Sequence, residues 1–513
     1  MAQVHTVILP DTYRDSVFLM KLSGEAAEAS GAEQISAMMG TPRNKELFVA
    51  SGLSTPEVEA AGADDLVIAI KADASTLPKA EEAVKKLLAA APAKNTTAAG
   101  QVSPRDLAEA AAADAELNFA IISVAGDYAR YEAAKAVGMG MDVMLYSDNI
   151  SLPDEIALKT MAAKKGRIVM GPDCGTAIID GIPMAFANRV SRGPVGIVGA
   201  SGTGLQEVIC LLDRLGAGIS EAYGCGGRDL KDDVGGITAK SALHRLAHDK
   251  ETTVIVLLGK PPGDKTRAEL AKILPTLGKP VFVHYLGAAD HKPEEAAGLT
   301  AATTLEELAE KVAMHVNPKA DVSRVLTRIP LPDPKNTGYL RGIFGGGTLC
   351  QEAAELAAPL LQGECFANVK VKGYSPIKAG EKSRGNCFWD FGEDEFTVGR
   401  PHPMMAPEIK MERLVEELLD PEVAVVLMDM VIGYGAHQDQ AGEFVKALDK
   451  AKAKNAAEVA KKRIVVYVCG TEGDSPSRTQ QAEIVKKAGA VVPGSNAQAA
   501  LWAARAASGV YNG

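Results

Sequence analysis

The seven cysteines include no CxxC and no zinc-like pairing, and their odd number excludes a fully paired disulfide framework. They read as reduced core or loop thiols. No Lys/Arg-rich block is present, and 55 basic residues against 65 acidic ones leave a formal charge of −10. A partner bound through its nucleic-acid backbone is therefore not expected. No window of about 20 residues lacks charges or turn residues, which excludes a membrane-spanning helix. The start, MAQVHTVILPDTYRDS, has neither a basic leader with a long apolar stretch nor a transit-peptide composition, so the expected compartment is the cytoplasm. No HExxH and no clustered carboxylate set points to a metal. What is present is a soluble globular composition, 47% hydrophobic and 23% charged. A chain of 513 residues is too long for one core and should hold about three or four domains.

Short β-branched apolar runs alternate with Gly- or Pro-marked turns and longer helical segments, the pattern of βαβ units, so an α/β fold with parallel sheets is expected. Expected strands are Val4 to Leu9, Leu66 to Ile70, Phe119 to Val124, Asp142 to Tyr146, Arg167 to Met170 and Gly196 to Val198. Later ones are Thr253 to Leu258, Pro280 to His284, Tyr339 to Phe344, Val423 to Met428 and Arg463 to Val468. Periodicity breaks at Ile182 to Pro194 and at Asn317 to Lys335, and more softly at the Ala/Thr-rich run from Ala90 to Ser103. Three regions are expected: 1–190, 191–325 and 335–513. The last two carry an internal repeat. GIVGASGTGLQEV from Gly196 and GIFGGGTLCQEA from Gly342 both read as strand, glycine turn and helix, and the three elements that follow keep the same order.

A parallel sheet places its ligand crevice beyond the carboxyl ends of its strands, where helix N-termini present free N–H groups to anions. Ser201, Gly202, Thr203 and Gly204, and Gly345, Gly346, Gly347 and Thr348, would each supply such donors for phosphate or carboxylate; the alternative is a tight turn only. Neither loop has the lysine of GxxxxGK[ST], so ATP or NAD binding has no motif support. Asp173 and Cys174 follow a strand and could contact a ligand or form an Asx-type turn. Gly226 and Gly227 precede Arg228, which could clamp an oxyanion or make a surface ion pair. Arg400 and His402 sit in the stiff run GRPHP. Gly433, Tyr434 and Gly435 lead to His437, a candidate acid/base or oxyanion donor. Met39 to Lys45 is a further candidate loop.

At these residues the chain resembles the FdrA family, related to the nucleoside-diphosphate-forming acyl-CoA synthetases typified by succinyl-CoA synthetase. MGPDCGT, GPVGIVGASGTGLQEV and GCGGRDL are similar to the synthetase α-subunit. FWDFGED and MDMVIGYGAH are similar to the ligase domain of its β-subunit. SVAG, LYSDN and VGRPHPM are similar to FdrA specifically. The resemblance implies an N-terminal region with a CoA-binding-like Rossmann portion, followed by two flavodoxin-like domains whose helices share a phosphate site. Ser201 to Gly204 would form one side, Gly433 to Gly435 the other, and Gly345 to Thr348 would be the repeat counterpart of the first.

Two departures bear on chemistry. The synthetase carries its phosphohistidine in a GHAGA-type loop; here that region reads HYLGAADHKPEEAAGLTAATT, and His291 lacks the flanking glycines. No stretch is left to hold an ATP-grasp domain. The resemblance then implies carbamoyl transfer of the oxamate carbamoyltransferase type, between carbamoyl phosphate and oxamate, with Arg228 or Arg400 on a carboxylate and His402 or His437 on the acceptor nitrogen or oxyanion. Two alternatives stand beside it: a CoA ligase subunit that borrows nucleotide activation from another chain, and a non-catalytic scaffold. No cofactor is firmly implied and CoA remains possible. The expected partners are a small phosphorylated or carboxylate substrate, separate subunits and further copies of the chain; nucleic acid and membrane are not expected.

Overall fold

The computed structural model describes residues 3–14, 16–90, 104–288, 290–326, 329–330, 337–397 and 400–510. The chain divides into two compact units, Met1–Ser103 with Thr397–Pro401, and Pro104–Phe396 with His402–Gly513. The boundary at Ser103 falls at the end of the soft Ala/Thr-rich break and within the expected region 1–190.

In the first unit, β1 (Gln3–Leu9), β2 (Gln34–Met39) and β3 (Leu66–Ala72) form a sheet in the order β1-β3-β2. Its central strand reads LVIAIKA with all but one residue buried. Side chains alternate across a strand: Leu66, Ile68 and Ile70 pack with Leu19 and Leu22 on one face, Val67 and Ala69 with Phe48 and Val58 on the other. This sheet departs from the all-parallel expectation. β3 pairs antiparallel with both neighbours, because the chain returns from β2 through the short helices Pro42–Ala50 and Pro56–Ala60 rather than a full crossover. β2, QISAMM, was not among the expected strands, since Gln34 and Ser36 break its apolar run. The Met39 to Lys45 loop is a helix start: Thr41 Oγ1 accepts from Asn44 N at 3.4 Å.

The second unit begins with a small parallel sheet of β4 (Phe119–Ile122), β5 (Asp142–Leu145) and β6 (Val169–Met170). A seven-stranded sheet follows, from β7 (Thr176–Ile179), β8 (Ile182–Ala185), β9 (Arg192–Ala200), β10 (Ile219–Gly224), β11 (Val254–Gly259), β12 (Val281–Tyr285) and β13 (Thr300–Ala301). The order is β13-β12-β11-β9-β10-β7-β8, parallel except for the β7/β8 hairpin at one end. A fully parallel six-stranded sheet comprises β14 (Tyr339–Phe344), β15 (Cys365–Ala367), β16 (Ser375–Pro376), β17 (Asn386–Asp390), β18 (Val423–Val431) and β19 (Arg463–Cys469), in the order β16-β15-β17-β14-β18-β19.

The sequence repeat is a repeat of topology. β12-β11-β9-β10 and β19-β18-β14-β17 are the same four-strand arrangement, each with the glycine turn after its first strand. One apolar cluster joins the two halves, with Val195, Leu205, Leu211 and Leu308 from the first and Leu340, Leu349, Ala353 and Trp502 from the second. The Gln-Glu pair of each copy lies in this seam. Glu207 accepts from Asn496 N (3.2 Å) and the Tyr467 hydroxyl (2.5 Å), and Glu352 from Leu305 N and Asn496 Nδ2, both at 2.8 Å. Burial raises both carboxyls, Glu352 to about 8.

Candidate functional site

The two glycine turns meet. Ser201 caps the helix Gly202–Arg214, its Oγ accepting from Gly204 N at 3.2 Å. The same Oγ lies 2.5 Å from Oγ1 of Thr348 in the helix Gly347–Ala357, and Thr348 N donates to Thr203 Oγ1 at 3.3 Å. The approach requires glycine: a Cβ on Gly204 would stand 3.0 Å from Thr348 Cγ2, and one on Gly346 2.9 Å from Thr203 Cγ2. Gly202 is exposed beside these hydroxyls. Two helix N-termini, one from each sheet, therefore converge with their positive dipole ends and three hydroxyl groups.

Two backbone donors of the second turn are engaged by a carboxylate. Gly345 N and Gly346 N donate to Asp429 Oδ1 and Oδ2, each at 2.8 Å, and Lys410 Nζ donates to Oδ1 at 2.5 Å. Asp390, at the end of β17, lies where a Cβ on Gly347 would meet its Oδ2 at 2.6 Å. Burial pushes its carboxyl up to about 7 against the pull of a hydrogen bond from Gly392 N, with Glu393 and Asp429 adding like-charge repulsion.

His402 stands over this carboxylate loop, its Nε2 2.9 Å from where a Cβ on Gly392 would sit. Its ring packs on Phe186 at a centroid distance of 5.7 Å. Nδ1 accepts from Met404 N at 3.2 Å, which assigns the proton to Nε2. Burial holds the imidazole down to about 4, so it is neutral. His437 lies in the turn after β18; its N donates to Met404 O at 2.7 Å and its Nδ1 accepts from Asp439 N at 3.1 Å. In that turn Gly433 and Gly435 have positive φ, and Tyr434 N donates to Ala187 O at 2.9 Å. The N-terminus of the next helix, Gln440–Val459, is capped by Asp439, whose Oδ1 accepts from Gly442 N at 2.9 Å.

The remaining candidates gather at the ends of β6 and β10. Gly226 packs against the turn that carries Asp173: a Cβ there would meet Pro172 O at 2.5 Å. Gly227 beside it is exposed. Asp173 reaches solvent yet is hemmed in by protein, and this desolvation, with Asp148, Asp394 and Glu393 nearby, pushes its carboxyl up to about 6; Arg228 opposes the shift. Arg228 pairs through Nε with the buried Glu155 (2.9 Å) and donates from Nη2 to Ile150 O (2.8 Å). Cys174 is buried and its thiol is pushed up to about 12 by that burial, so it is no thiolate nucleophile at neutral pH. Arg400 belongs to the Thr397–Pro401 segment grouped with the first unit; its N donates to Thr397 O at 3.1 Å.

Asp390, Asp429 and Lys410 were not legible as site residues. One signal pointed to Asp429: it is the sole charged residue in VAVVLMDMV, a strand buried throughout, and a buried carboxylate needs a partner. Lys410 looks like any lysine on an amphipathic helix. His291 lies in the loop after β12, apart from the named site contacts. Its ring is 6.3 Å from that of His284 and 6.2 Å from that of Tyr285, with Nδ1 3.9 Å from the Glu294 carboxylate.

Residues 343–506 match the family described as CoA-ligase, and residues 1–104 the AllF heavy metal-associated domain. The uncharacterized protein YahF of Escherichia coli (strain K12) is 38% identical over 511 residues, covering 98% of this chain and 98% of its own length. The alpha subunit of succinate–CoA ligase [ADP-forming] from Methanothermobacter thermautotrophicus is 29% identical over 34% of this chain and 58% of its own length. The crystal structure of PH0766 from Pyrococcus horikoshii OT3 is 16% identical with a TM-score of 0.32, covering 76% of this chain and 83% of that one. Despite the metal-associated description, residues 1–104 contain no cysteine and one histidine, His5, which pairs with Glu81 at 3.1 Å. A thiolate site of the CxxC kind is therefore absent from residues 1–104. Among the described residues no group of three or more His, Cys, Asp or Glu is placed to hold a metal, and no helix is long and apolar enough to cross a membrane.

Proposed function

Because the chain belongs to the same family as YahF of Escherichia coli and shares the CoA-ligase domain over residues 343–506, we propose that it is a subunit of an acyl-transferring enzyme of the CoA-ligase type. Its site would hold the phosphoryl group of an acyl phosphate at Ser201 to Gly204 and Thr348. The observation that carries this reading is the meeting of Ser201 Oγ and Thr348 Oγ1 at two converging helix N-termini, a donor-rich and electropositive place beyond the carboxyl ends of two parallel sheets. Neutral His402, with its proton on Nε2, is a hydrogen-bond donor for a developing oxyanion. Asp390, whose carboxyl burial raises to about 7, is the group suited to take the acceptor's proton.

The acceptor is CoA on the better supported form of this reading, given the CoA-ligase match and the succinate–CoA ligase alpha subunits among its relatives. Nucleotide activation would then come from a separate subunit. A second form, transfer of a carbamoyl group from carbamoyl phosphate to the oxamate nitrogen with release of phosphate and oxalurate, is favoured by one observation: His291 lacks flanking glycines and lies with its Nδ1 3.9 Å from the Glu294 carboxylate. Direct transfer needs no phosphohistidine.

Thermal denaturation against CoA, carbamoyl phosphate, inorganic phosphate, oxamate and ATP separates the two forms, because a ligand bound only by the folded state raises its stability. CoA stabilisation is expected on the first form, and stabilisation by carbamoyl phosphate without CoA on the second. No response to any of them would remove both and leave a scaffold role.

A further inference from the structure

Lys410, Arg228 and Lys231 are each engaged within the protein, with Asp429, Glu155 and the Pro261 carbonyl. Lys260 is placed differently. It follows β11 directly, and at the end of that strand Gly259 lies in register with Ala200 of β9. A Cβ on Gly259 would stand 3.1 Å from that of Ala200, so Lys260 leaves the sheet beside Ser201, about one strand spacing away. Alternation sets its side. Val256 and Leu258 belong to the apolar cluster that joins the two halves, Ile255 and Leu257 to the cluster on the opposite face. Residue 260 continues the first set and so falls on the face turned to the second half. Its charge acts across that boundary, pulling the Glu355, Asp390 and Glu393 carboxyls down against their burial. Yet Lys260 is exposed, and among the described residues its ammonium makes no hydrogen bond or ion pair.

The turn that carries it is held on several sides. Lys231 Nζ donates to Pro261 O and Gly263 N to Leu230 O, both at 2.9 Å. Asp232 Oδ1 accepts from Thr266 N at 2.9 Å and from Thr266 Oγ1 at 3.0 Å. An unpaired ammonium on a fixed turn, beside hydroxyls and a free helix start, is preorganised for an anion. We propose that Lys260 is the cation of the shared site, its ammonium pairing with the phosphoryl oxygens of an acyl phosphate beside Ser201 and Thr348. This deepens the functional reading above and rests on it for the substrate. In the transfer the acceptor bonds to the acyl carbon and the bond from that carbon to the phosphate oxygen breaks. The electron pair leaves on that oxygen, the acceptor's proton passes through Asp390 to the phosphate, and Lys260 balances the charge that grows there.

The test is titration calorimetry of the full chain with inorganic phosphate. Lys260→Met removes the charge and keeps the stem; with an exposed side chain and no bond lost, it should melt within about 2 °C of the wild type. Its dissociation constant for phosphate should rise about tenfold or more, the loss of one charge-assisted hydrogen bond. Lys260→Arg should stay within about threefold of the wild type, because it keeps the charge. Added sodium chloride should weaken the wild type more steeply than Lys260→Met. Unchanged phosphate affinity in Lys260→Met, where Ser201→Ala has lost it, would overturn the assignment and leave the functional reading standing. A Met variant that melts far below the wild type would overturn it as well, by making Lys260 a structural residue. A wild type that binds no phosphate would overturn the functional reading and the assignment with it.

Discussion

The two halves of the repeat share strand order, glycine turn and a buried Gln-Glu pair, yet the first caps its helix start with the Ser201 hydroxyl while the second closes its own on Asp429 and Lys410. Duplication conserves the scaffold because the hydrophobic pattern of a parallel sheet tolerates few alternatives. It does not conserve the charge on the strands: Asp429 of β18, which takes two amides of its turn, has no charged counterpart in β11. The difference teaches that a glycine turn opening a helix is an anion site only if nothing in the protein has taken its donors.

The largest effect that tests this contrast should come from Lys410→Met, which leaves Asp429 buried without its cation. A loss of roughly 3–5 kcal/mol in chemical denaturation is expected for such a broken pair; a loss under about 1 kcal/mol would mean that the pair does not hold the second turn. The seam between the halves gives a pH effect. Glu352 has a folded-state value of about 8 against an ordinary 4.5, so the folded protein binds the extra proton. Its contribution is full below pH 4.5 and is lost as pH rises toward and through about 8. Glu352→Gln should flatten the fall in stability over that range, and an unaltered slope would assign the effect to other groups.

On the first half, Ser201→Ala should cost about 1 kcal/mol through loss of the helix cap and should weaken phosphate-dependent turnover. Full turnover with unchanged phosphate dependence in both Ser201→Ala and Thr203→Ala would remove the first turn from the site. The smallest effect is expected at His291. His291→Gln should leave turnover within twofold of the wild type, and a turnover collapse accompanied by loss of acid-labile phosphorylation would restore a phosphohistidine to the mechanism.

Much of this architecture is legible in the sequence. β14 begins and ends where the alternation placed it, at Tyr339 and Phe344, between the Pro/Asn-rich break and the glycine turn that bound it. The repeat was legible because its turns and its Gln-Glu pairs recur in the same order. The antiparallel N-terminal sheet was not, since antiparallel and parallel centre strands both read as continuous apolar runs when covered on two sides. Within the site, Ser201 and Thr348 were visible as members of glycine turns, whereas their contact was not. Arg228 and Arg400 looked alike as loop arginines; the fold commits Arg228 to Glu155 and groups Arg400 with another unit.

Local chemistry is therefore what the amino-acid order determined by itself: which segments are strands, where turns need glycine, which hydroxyls open helices, and that the second half copies the first. Tertiary structure alone decided which donors remain available. Asp429 and Lys410 are nineteen positions apart, and Asp429 and Gly345 are eighty-four. Their contacts depend on strand register and on the helix that crosses it, and the strength of an electrostatic interaction depends on distance and burial, neither of which is written along the chain.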